Sequence, residues 1–279
     1  MKKLSLMCAL PLALLVACAP EAEVGNGAVT TRSHSLDAFT AIHSQLRLPV
    51  DIEVGAEAQA VEVVLDENLQ DAVDFTVHQG TLNIGTTRPF VPSDATRVIV
   101  RIPELRALSA QGSGDISLSG RQTARPFLLE HTGEGNLTAC SDFSELTVRH
   151  HTAASLDLCV PAGAAVLESL SIRSLGTGQV HWEGDATEAH VLLERASAIT
   201  LIGQAESLRL QARDQGTVDA AAFPVVDLEL KTTSGGLARV HATGSASIRI
   251  ASTGDVELSG APAELEVTRD GTGELIEAP

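Results

Sequence analysis

One apolar position recurs through the second half of the chain, and its spacing constrains the fold more than any other feature. The stretch Gly112–Gly120 reads GSGDISLSG and returns at Thr253–Gly260 as TGDVELSG. The steps between the apolar positions that align with Ile116 are 21, 19, 24, 19, 19, 19, 19 and 19 residues. A period of about 20 residues is typical of a solenoid, in which each repeat buries its apolar face against its neighbours. We call these the marker positions: Ile116, Leu137, Leu156, Val180, Ile199, Val218, Leu237, Val256 and Leu275.

A second apolar position lies eight residues before the marker in all but one repeat, so each coil should contain two short alternating strands. The exception is the repeat that ends at Leu237, where this position is Glu229, flanked by Leu228 and Leu230. Glycine stands two residues before the marker in seven of nine repeats, which indicates a tight corner between the two strands. The second positions are Leu108, Leu129, Val148, Ile172, Val191, Leu210, Ile248 and Val267.

The repeats predict an all-β protein, a single-stranded parallel β-helix (β-solenoid) of about nine coils, which we expect to be right-handed. Parallel strands stack about 4.8 Å apart, so the coils should extend roughly 40 Å. We assign residues 105–279 to the solenoid and residues 33–104 to a non-repetitive leading β segment of the same domain. Within that segment, Asp66–Leu69 has the composition of a short helical turn or a loop.

The N-terminus has the features of a secreted lipoprotein. Residues 1–17 read as a signal peptide, because two lysines precede an apolar run that is too short to span a bilayer. The run ends in Leu15–Cys18, which resembles a bacterial lipobox and makes Cys18 the predicted lipidation site; the alternative is an ordinary signal peptide with a chance cysteine. Ala19 resembles the residue after the cysteine in outer-membrane lipoproteins. Residues 18–32 are small, polar and aperiodic, and we expect them to form a flexible tether.

The charge of the chain excludes one class of partner. From Cys18 onward, 17 basic residues (19 minus the two lysines of the signal) face 36 acidic ones, a difference of −19. Such a surface repels the phosphates of nucleic acid, so we predict no nucleic-acid binding. The same acidity also serves as an ordinary means of keeping an exposed protein soluble.

Two cysteines lie at equivalent places in consecutive repeats. Cys140 and Cys159 are 19 residues apart, and each follows its marker by three residues. Stacked sites lie about 4.8 Å apart, which is within the Cα separation of disulfides, and an extracytoplasmic location permits oxidation. We therefore predict a Cys140–Cys159 disulfide, with two buried free thiols as the alternative.

Two histidines share the same 19-residue spacing. His131 and His150 would be stacked neighbours, and such a pair could hold a metal ion. No third ligand is fixed by the spacing, so we expect the histidines to lie in a solvated turn. No metal site is predicted.

The residues immediately before the markers form a mostly polar column. Asp115 with Asn136, and Asp255 with Glu274, could each offer oxygen atoms to calcium. Capping of the corner turn is the preferred interpretation, because Asp and Asn side chains bond to nearby backbone groups. Trp182 aligns with leucines of other repeats and is predicted to lie in the core.

The chain resembles a known bacterial family. The leading strands, the stretch Val100–Leu105 and the Gly-Ser-Gly-Asp-Ile repeats are similar to the head GIN domain family, over residues 35–279. The resemblance implies a β-helix-like fold and an adhesin-like role, and it transfers no functional residue. The corners at residues 152–156 and 194–199 lack the family's glycines.

No nucleophile elbow, zinc motif or phosphate loop occurs in the sequence, so we predict no catalytic or cofactor site. The predicted function is a non-catalytic scaffold or adhesin-like module, anchored in the cell envelope through Cys18 and binding a glycan or a protein. Two alternatives stay open: a polysaccharide-acting β-helix enzyme, and an envelope assembly or stress partner. The oligomeric state is left open.

Overall fold

The computed structural model describes residues 21–278 and shows a β-solenoid in which two stacks of parallel strands lie side by side. Each coil gives one strand to each stack, and neighbouring coils pair in register. This confirms the predicted fold class. Listed from the N-terminal end, the first stack contains β7 (Thr81–Thr86), β3 (Ala41–Ser44), β10 (Ala107–Ala110), β12 (Pro126–His131), β14 (Glu145–His150), β16 (Leu167–Ser174), β18 (Ala186–Leu193), β20 (Ala205–Asp214) and, after two longer strands, β24 (Glu264–Arg269).

The second stack is built in the same way on the neighbouring side of each coil. It contains β9 (Arg97–Ile102), β4 (Val50–Val54), β11 (Ile116–Gly120), β13 (Leu137–Cys140), β15 (Leu156–Cys159), β17 (Gln179–Glu183), β19 (Ala198–Ile202), β23 (Val256–Ser259) and β25 (Leu275–Glu277). The two longer strands pass from one stack into the other: β21 (Thr217–Ser234) and β22 (Ala238–Ile250).

The leading segment contributes a coil of its own to the stacks. Strand β3 lies between β7 and β10, and β4 lies between β9 and β11. The chain therefore forms this coil first, continues to the N-terminal end of the solenoid, and returns through β10 on the opposite side of β3. The 19-residue repeats then add coils in sequence order.

Antiparallel strands close the N-terminal end of both stacks. Strand β5 (Ala60–Asp66) pairs with β9, β2 (Val29–His34) pairs with β5, and β6 (Val73–His78) pairs with β7. The 3₁₀-helix Glu67–Ala72 joins β5 to β6, which agrees with the helical turn predicted there. These strands bond to edges that would otherwise expose unpaired backbone groups.

The flexible tether predicted at residues 18–32 is wrong for the residues that the structure describes. Strand β1 (Glu23–Val24) pairs in parallel with β8 (Phe90–Val91), and β2 follows from Val29. The composition of this segment is polar because most of its side chains are exposed, yet its backbone is bonded to the leading segment. Only residues 18–20 separate Cys18 from the described fold, and the signal peptide and Cys18 lie outside the described residues.

A buried carboxylate joins the N-terminal strands to the solenoid. The Asp66 carboxylate accepts hydrogen bonds from the N–H of Ser93 (2.9 Å), the hydroxyl of Ser93 (2.7 Å) and the N–H of Gly27 (2.8 Å). These donors stabilise the charged form, and the backbone N–H of Ser93 contributes most to holding the pKa of Asp66 below its usual value. The β1–β8 pair is thereby fixed to the end of β5.

The core lies between the two stacks and consists of columns of inward-facing side chains. In the second stack, the markers Ile116, Leu137 and Leu156 are stacked directly on one another and are almost fully buried. Trp182 is 0% exposed, which confirms its predicted place in the core, and its Nε1–H donates to the carbonyl oxygen of Gly184 at 3.1 Å.

One marker position is wrong by a single residue. Val218 pairs with Ala238, and Ala238 pairs with Val256, so Ala238 rather than Leu237 occupies the apolar column. The residue eight positions earlier is Leu230, which pairs with Leu210 and Ile248. Ala238 and Leu230 are buried, so the anomalous Glu229 reflects this one-residue shift.

The corner glycines are required by the close approach of neighbouring coils. A Cβ on Gly114 would collide with the carbonyl oxygen of Leu48, and a Cβ on Gly135 would collide with that of Gly114. Neither glycine has a positive φ, so crowding rather than turn geometry selects the residue. The corner at residues 194–199 lacks glycine and uses a different turn, in which Arg195 has φ 59°.

Polar side chains at the corners bond to the next coil. Asp115 Oδ1 accepts from the N–H of Asn136 at 2.8 Å, and Asn136 Oδ1 accepts from the N–H of Ser155 at 3.1 Å. Asp255 Oδ1 accepts from the N–H of Glu274 at 2.8 Å. The predicted capping role is confirmed, with the donor on the following coil, and these bonds account for the polar column without an ion.

The register predicts opposite outcomes for two adjacent substitutions. Val218→Asp places an unpaired carboxylate in the apolar column between Ile199 and Ala238, which should cost several kcal/mol of unfolding free energy. Asp219 is half-exposed beside Arg239, so Asp219→Asn should change stability by no more than about 0.5 kcal/mol. Urea unfolding of the two variants measures this. A tolerated Val218→Asp together with a disruptive Asp219→Asn would show that the register is wrong.

Candidate binding surface

The structure joins Cys140 to Cys159 by a disulfide between consecutive coils, with their Cα atoms 4.5 Å apart. The two residues end β13 and β15, so the bond fixes the ends of two adjacent strands. A closed loop of this length stabilises a fold by about 3 kcal/mol in the chain-entropy model.

The longest insertion in the repeats begins immediately after this disulfide. Residues 160–166 leave β15 and return to the first stack at Leu167. The Val160 N–H donates to the carbonyl oxygen of Glu183 on the next coil, and the Ala164 N–H donates to that of Pro161. Arg121 supports the loop from the other side, because it pairs with Asp142 (2.8 Å) and donates to the Ala162 carbonyl oxygen (3.3 Å).

Apolar side chains are exposed around this insertion. Val166 is 56% exposed, Ile202 is 37% exposed and Val226 is 49% exposed. Two shallow hollows of about 330 and 360 Å³ adjoin one another here, and both are lined by Val166 and Asp185. One hollow extends to Ile202 and the other to Val226, so the three side chains belong to one contiguous patch rather than to scattered positions. Patches of this kind mark interaction sites.

The repeat itself explains why this surface is recessed. The inward residues at this corner are small in consecutive coils, with Ala186 paired to Ala205 and Ala205 paired to Val225. The residues just before them, Asp185 and Gln204, line the first hollow, and the insertion forms a wall beside it. Ala and Gly at corner positions signal such a site in sequence only weakly, so sequence reasoning missed it.

The electrostatics of the patch are one-sided. Glu183, Asp185 and Glu206 line the hollows, and no Lys, Arg or His is among the described residues that line them. Gln204 Nε2 donates to Asp185 Oδ2 at 3.1 Å, which orients that carboxylate along the groove. We call this region the loop-160 surface.

The two predicted turn histidines lie in the core instead. His131 and His150 are 1% and 0% exposed, and their ring centroids are 5.2 Å apart. Their Nε2–H groups donate to the carbonyl oxygens of Gly135 (2.8 Å) and Ala154 (2.9 Å). The prediction of a solvated turn is wrong because both residues face inward at the ends of their strands, in register with Ser174.

Burial determines the protonation of this pair. The Ser174 hydroxyl donates to His150 Nδ1 at 3.1 Å, and His131 Nδ1 is buried without a hydrogen-bond partner. Desolvation is the main cause that lowers the pKa of His131, and it lowers the pKa of His150 to about 4. Among residues 21–278, no three His, Cys, Asp or Glu side chains are grouped so as to hold a metal ion.

The histidine pair predicts a loss of stability at mildly acidic pH. The unfolded chain protonates His150 near 6.5, whereas the folded chain resists protonation down to about 4. The unfolded state therefore binds more protons in this interval, and the free energy of unfolding should fall by on the order of 3 kcal/mol between these limits. Urea unfolding from pH 7 to pH 4 measures the loss.

His150→Gln should flatten this pH dependence, and its exposed neighbour gives a matched control. His151→Gln should leave the dependence as in the wild type, because His151 is in contact with solvent. A pH dependence that disappears in His151→Gln and persists in His150→Gln would contradict the assignment.

No helix within the described part of the chain has the length and hydropathy needed to cross a bilayer.

The stacked coils, the antiparallel cap and the absence of a catalytic cluster on the described surface together define a solenoid of the adhesin-head type. The sequence matches the family described as "Putative auto-transporter adhesin, head GIN domain" over residues 38–166 and again over residues 162–262. The chain therefore belongs to the head GIN domain family, as its repeats indicate.

Solved structures share the fold at low sequence identity. A "putative adhesin" from Parabacteroides distasonis is 21% identical with a TM-score of 0.64, over 92% of this chain and 100% of that one. One from Parabacteroides merdae is 20% identical with a TM-score of 0.62, over 92% and 98%. A "putative lipid binding protein" from Parabacteroides distasonis is 18% identical with a TM-score of 0.64, over 93% and 100%. No curated protein matches the chain significantly.

Proposed function

We propose that the protein is a non-catalytic, lipid-anchored protein of the bacterial cell envelope, which binds a partner through the loop-160 surface. The observation that carries the proposal is the contiguous exposure of Val166, Ile202 and Val226 beside carboxylates. Family membership supports an adhesin-like role, because the family is described as an adhesin head.

The chemistry of the loop-160 surface favours a protein partner over a glycan. Glycan sites commonly stack sugar rings on exposed aromatic side chains, and the single tryptophan, Trp182, is buried. Apolar side chains flanked by Glu183, Asp185 and Glu206 complement a segment in which Lys or Arg alternates with aliphatic residues. The partner we propose is therefore a basic, aliphatic segment of another protein.

Binding should depend on the exposed valines. An array of Lys- and Leu-containing peptides, printed beside a glycan array, identifies a ligand whose affinity is then measured by calorimetry. Val166→Asp combined with Val226→Asp should weaken peptide binding at least about tenfold, because two apolar contacts are lost. Leu265→Asp combined with Ile276→Asp removes two exposed apolar side chains on the last coil and should leave the affinity unchanged.

Charge gives a second measurement on the same complex. Asp185→Asn combined with Glu206→Gln should weaken binding and reduce its dependence on salt. Saturable binding of a glycan with no peptide binding would replace the proposed partner class. Turnover of any glycan would overturn the non-catalytic proposal and favour the polysaccharide-acting alternative.

Anchoring is proposed at Cys18 and in the outer membrane, on the evidence of the lipobox sequence and Ala19. Acyl chains contribute about 0.8 kcal/mol for each buried methylene, so several chains hold a protein durably. Cys18→Ala should release the protein from the membrane fraction or leave it unprocessed, as measured by fractionation and mass spectrometry. A Cys18→Ala protein that fractionates like the wild type would contradict lipidation at this residue.

A further inference from the structure

The capped end of the solenoid begins very close to the proposed lipid. Strand β1 starts at Glu23, five residues after Cys18. Because a fully extended chain spans at most about 3.6 Å per residue, β1 starts no more than about 18 Å from the lipidated residue. Since residues 23–34 are bonded into the fold, no further slack is available to lift the solenoid from the bilayer.

This end of the molecule exposes paired apolar side chains. Val24 is 66% exposed and Val91 is 52% exposed, and the two face each other in the register of β1 and β8. Beside them lies a hollow of about 500 Å³ whose lining includes Leu48, Phe90 and Pro92. These residues form an apolar face at the strand pair nearest to Cys18.

Basic side chains accompany the apolar residues at this face. Arg47 and Arg88 line the same hollow. Arg88 pairs with Glu23 at 2.8 Å, whereas Arg47 is exposed and pairs with no carboxylate within residues 21–278. On a chain with a charge of −19 after Cys18, an unpaired arginine beside exposed valines is distinctive, and guanidinium groups bind phosphate well.

We infer that the face formed by Val24, Val91 and Arg47 lies against the bilayer, with the valines at the interface and Arg47 on a phospholipid phosphate. This inference rests on the proposed anchoring at Cys18. An interfacial contact of this kind adds apolar burial and about 1 kcal/mol for each basic residue near an anionic surface. The loop-160 surface, four coils from β3, would then stand roughly 19 Å further from the membrane.

The opposite end of the solenoid has a different chemistry. Leu265 and Ile276 are exposed on the last coil, where their nearest chain neighbours include Glu264, Glu266 and Glu277. Carboxylates on this edge are repelled by anionic lipid. The two ends therefore provide a matched pair of positions at which contact with a membrane can be compared.

The test is tryptophan quenching in vesicles of phosphatidylethanolamine and phosphatidylglycerol that contain brominated phospholipid. Val91→Trp and Ile276→Trp each add one exposed reporter to the buried Trp182, whose emission in the parent protein is subtracted. The lipidated protein is reconstituted first. Val91→Trp should lose most of its added emission, and Ile276→Trp should keep it. Equal quenching of the two reporters, or none at either, on protein that sediments with the vesicles would overturn the inference.

A chemical anchor separates this test from the question of lipidation. The mature chain is coupled through the Cys18 thiol to a maleimide lipid, which leaves the Cys140–Cys159 disulfide intact. The same contrast between the two reporters is expected, so a failure of natural lipidation does not decide the outcome. Adding Val24→Asp and Arg47→Glu should restore the emission of Val91→Trp without releasing the protein from the vesicles.

The hollow beside Arg47 could instead hold a single lipid molecule. Brominated lysolipid, present as monomers without vesicles, distinguishes this case on the Cys18→Ala chain. No quenching of Val91→Trp supports the bilayer contact. Saturable quenching under these conditions would overturn it in favour of a pocket for one lipid.

Discussion

Parallel backbone pairing in strict register is the interaction on which the rest of the structure depends. Each coil bonds only to the coil before and the coil after it, so one inward position becomes a continuous column such as Ile116, Leu137 and Leu156. Register also decides which residues outside the core become neighbours. It brings Cys140 to Cys159, places the Asp115 carboxylate against the next coil, and stacks His131 on His150. A displaced register would separate all of these pairs together.

The sequence was sufficient to predict the coils because a 19-residue period repeats the same local pattern. Its one error in register carried its own signal: Glu229 occupied an apolar position while Leu230 stood next to it, and the structure buries Leu230 and Ala238. Steps of 20 and then 18 residues around Ala238 average to the expected period, so spacing alone could not detect the shift.

Other features could not be predicted, because non-local contacts determine them. The strand at Val29–His34 is polar and aperiodic, and it is ordered by backbone bonds to β5 rather than by an apolar pattern. The buried histidines look like turn residues in sequence, since their carbonyl acceptors and Ser174 are supplied by the fold. The loop-160 surface depends on side chains from coils that lie more than 20 residues apart in sequence.

These corrections change the functional picture. A protein on a flexible tether samples many orientations, whereas a solenoid bonded from Glu23 onward has a fixed end near Cys18 and a binding surface several coils away. Under the proposed anchoring, the solenoid then acts as a spacer of defined length. The disulfide and Arg121 hold the insertion on this spacer, which preorganises the loop-160 surface for a partner.

The central claim is that the coils form a regular in-register stack, and nitroxide distances test it most directly. Ser117, Thr200 and Glu257 face outward in the same column, with Thr200 four coils and Glu257 seven coils from Ser117. Double electron–electron resonance between labels at Ser117 and Thr200 should give about 19 Å, and between Ser117 and Glu257 about 34 Å. Two distances that do not scale with the number of coils would contradict the stack.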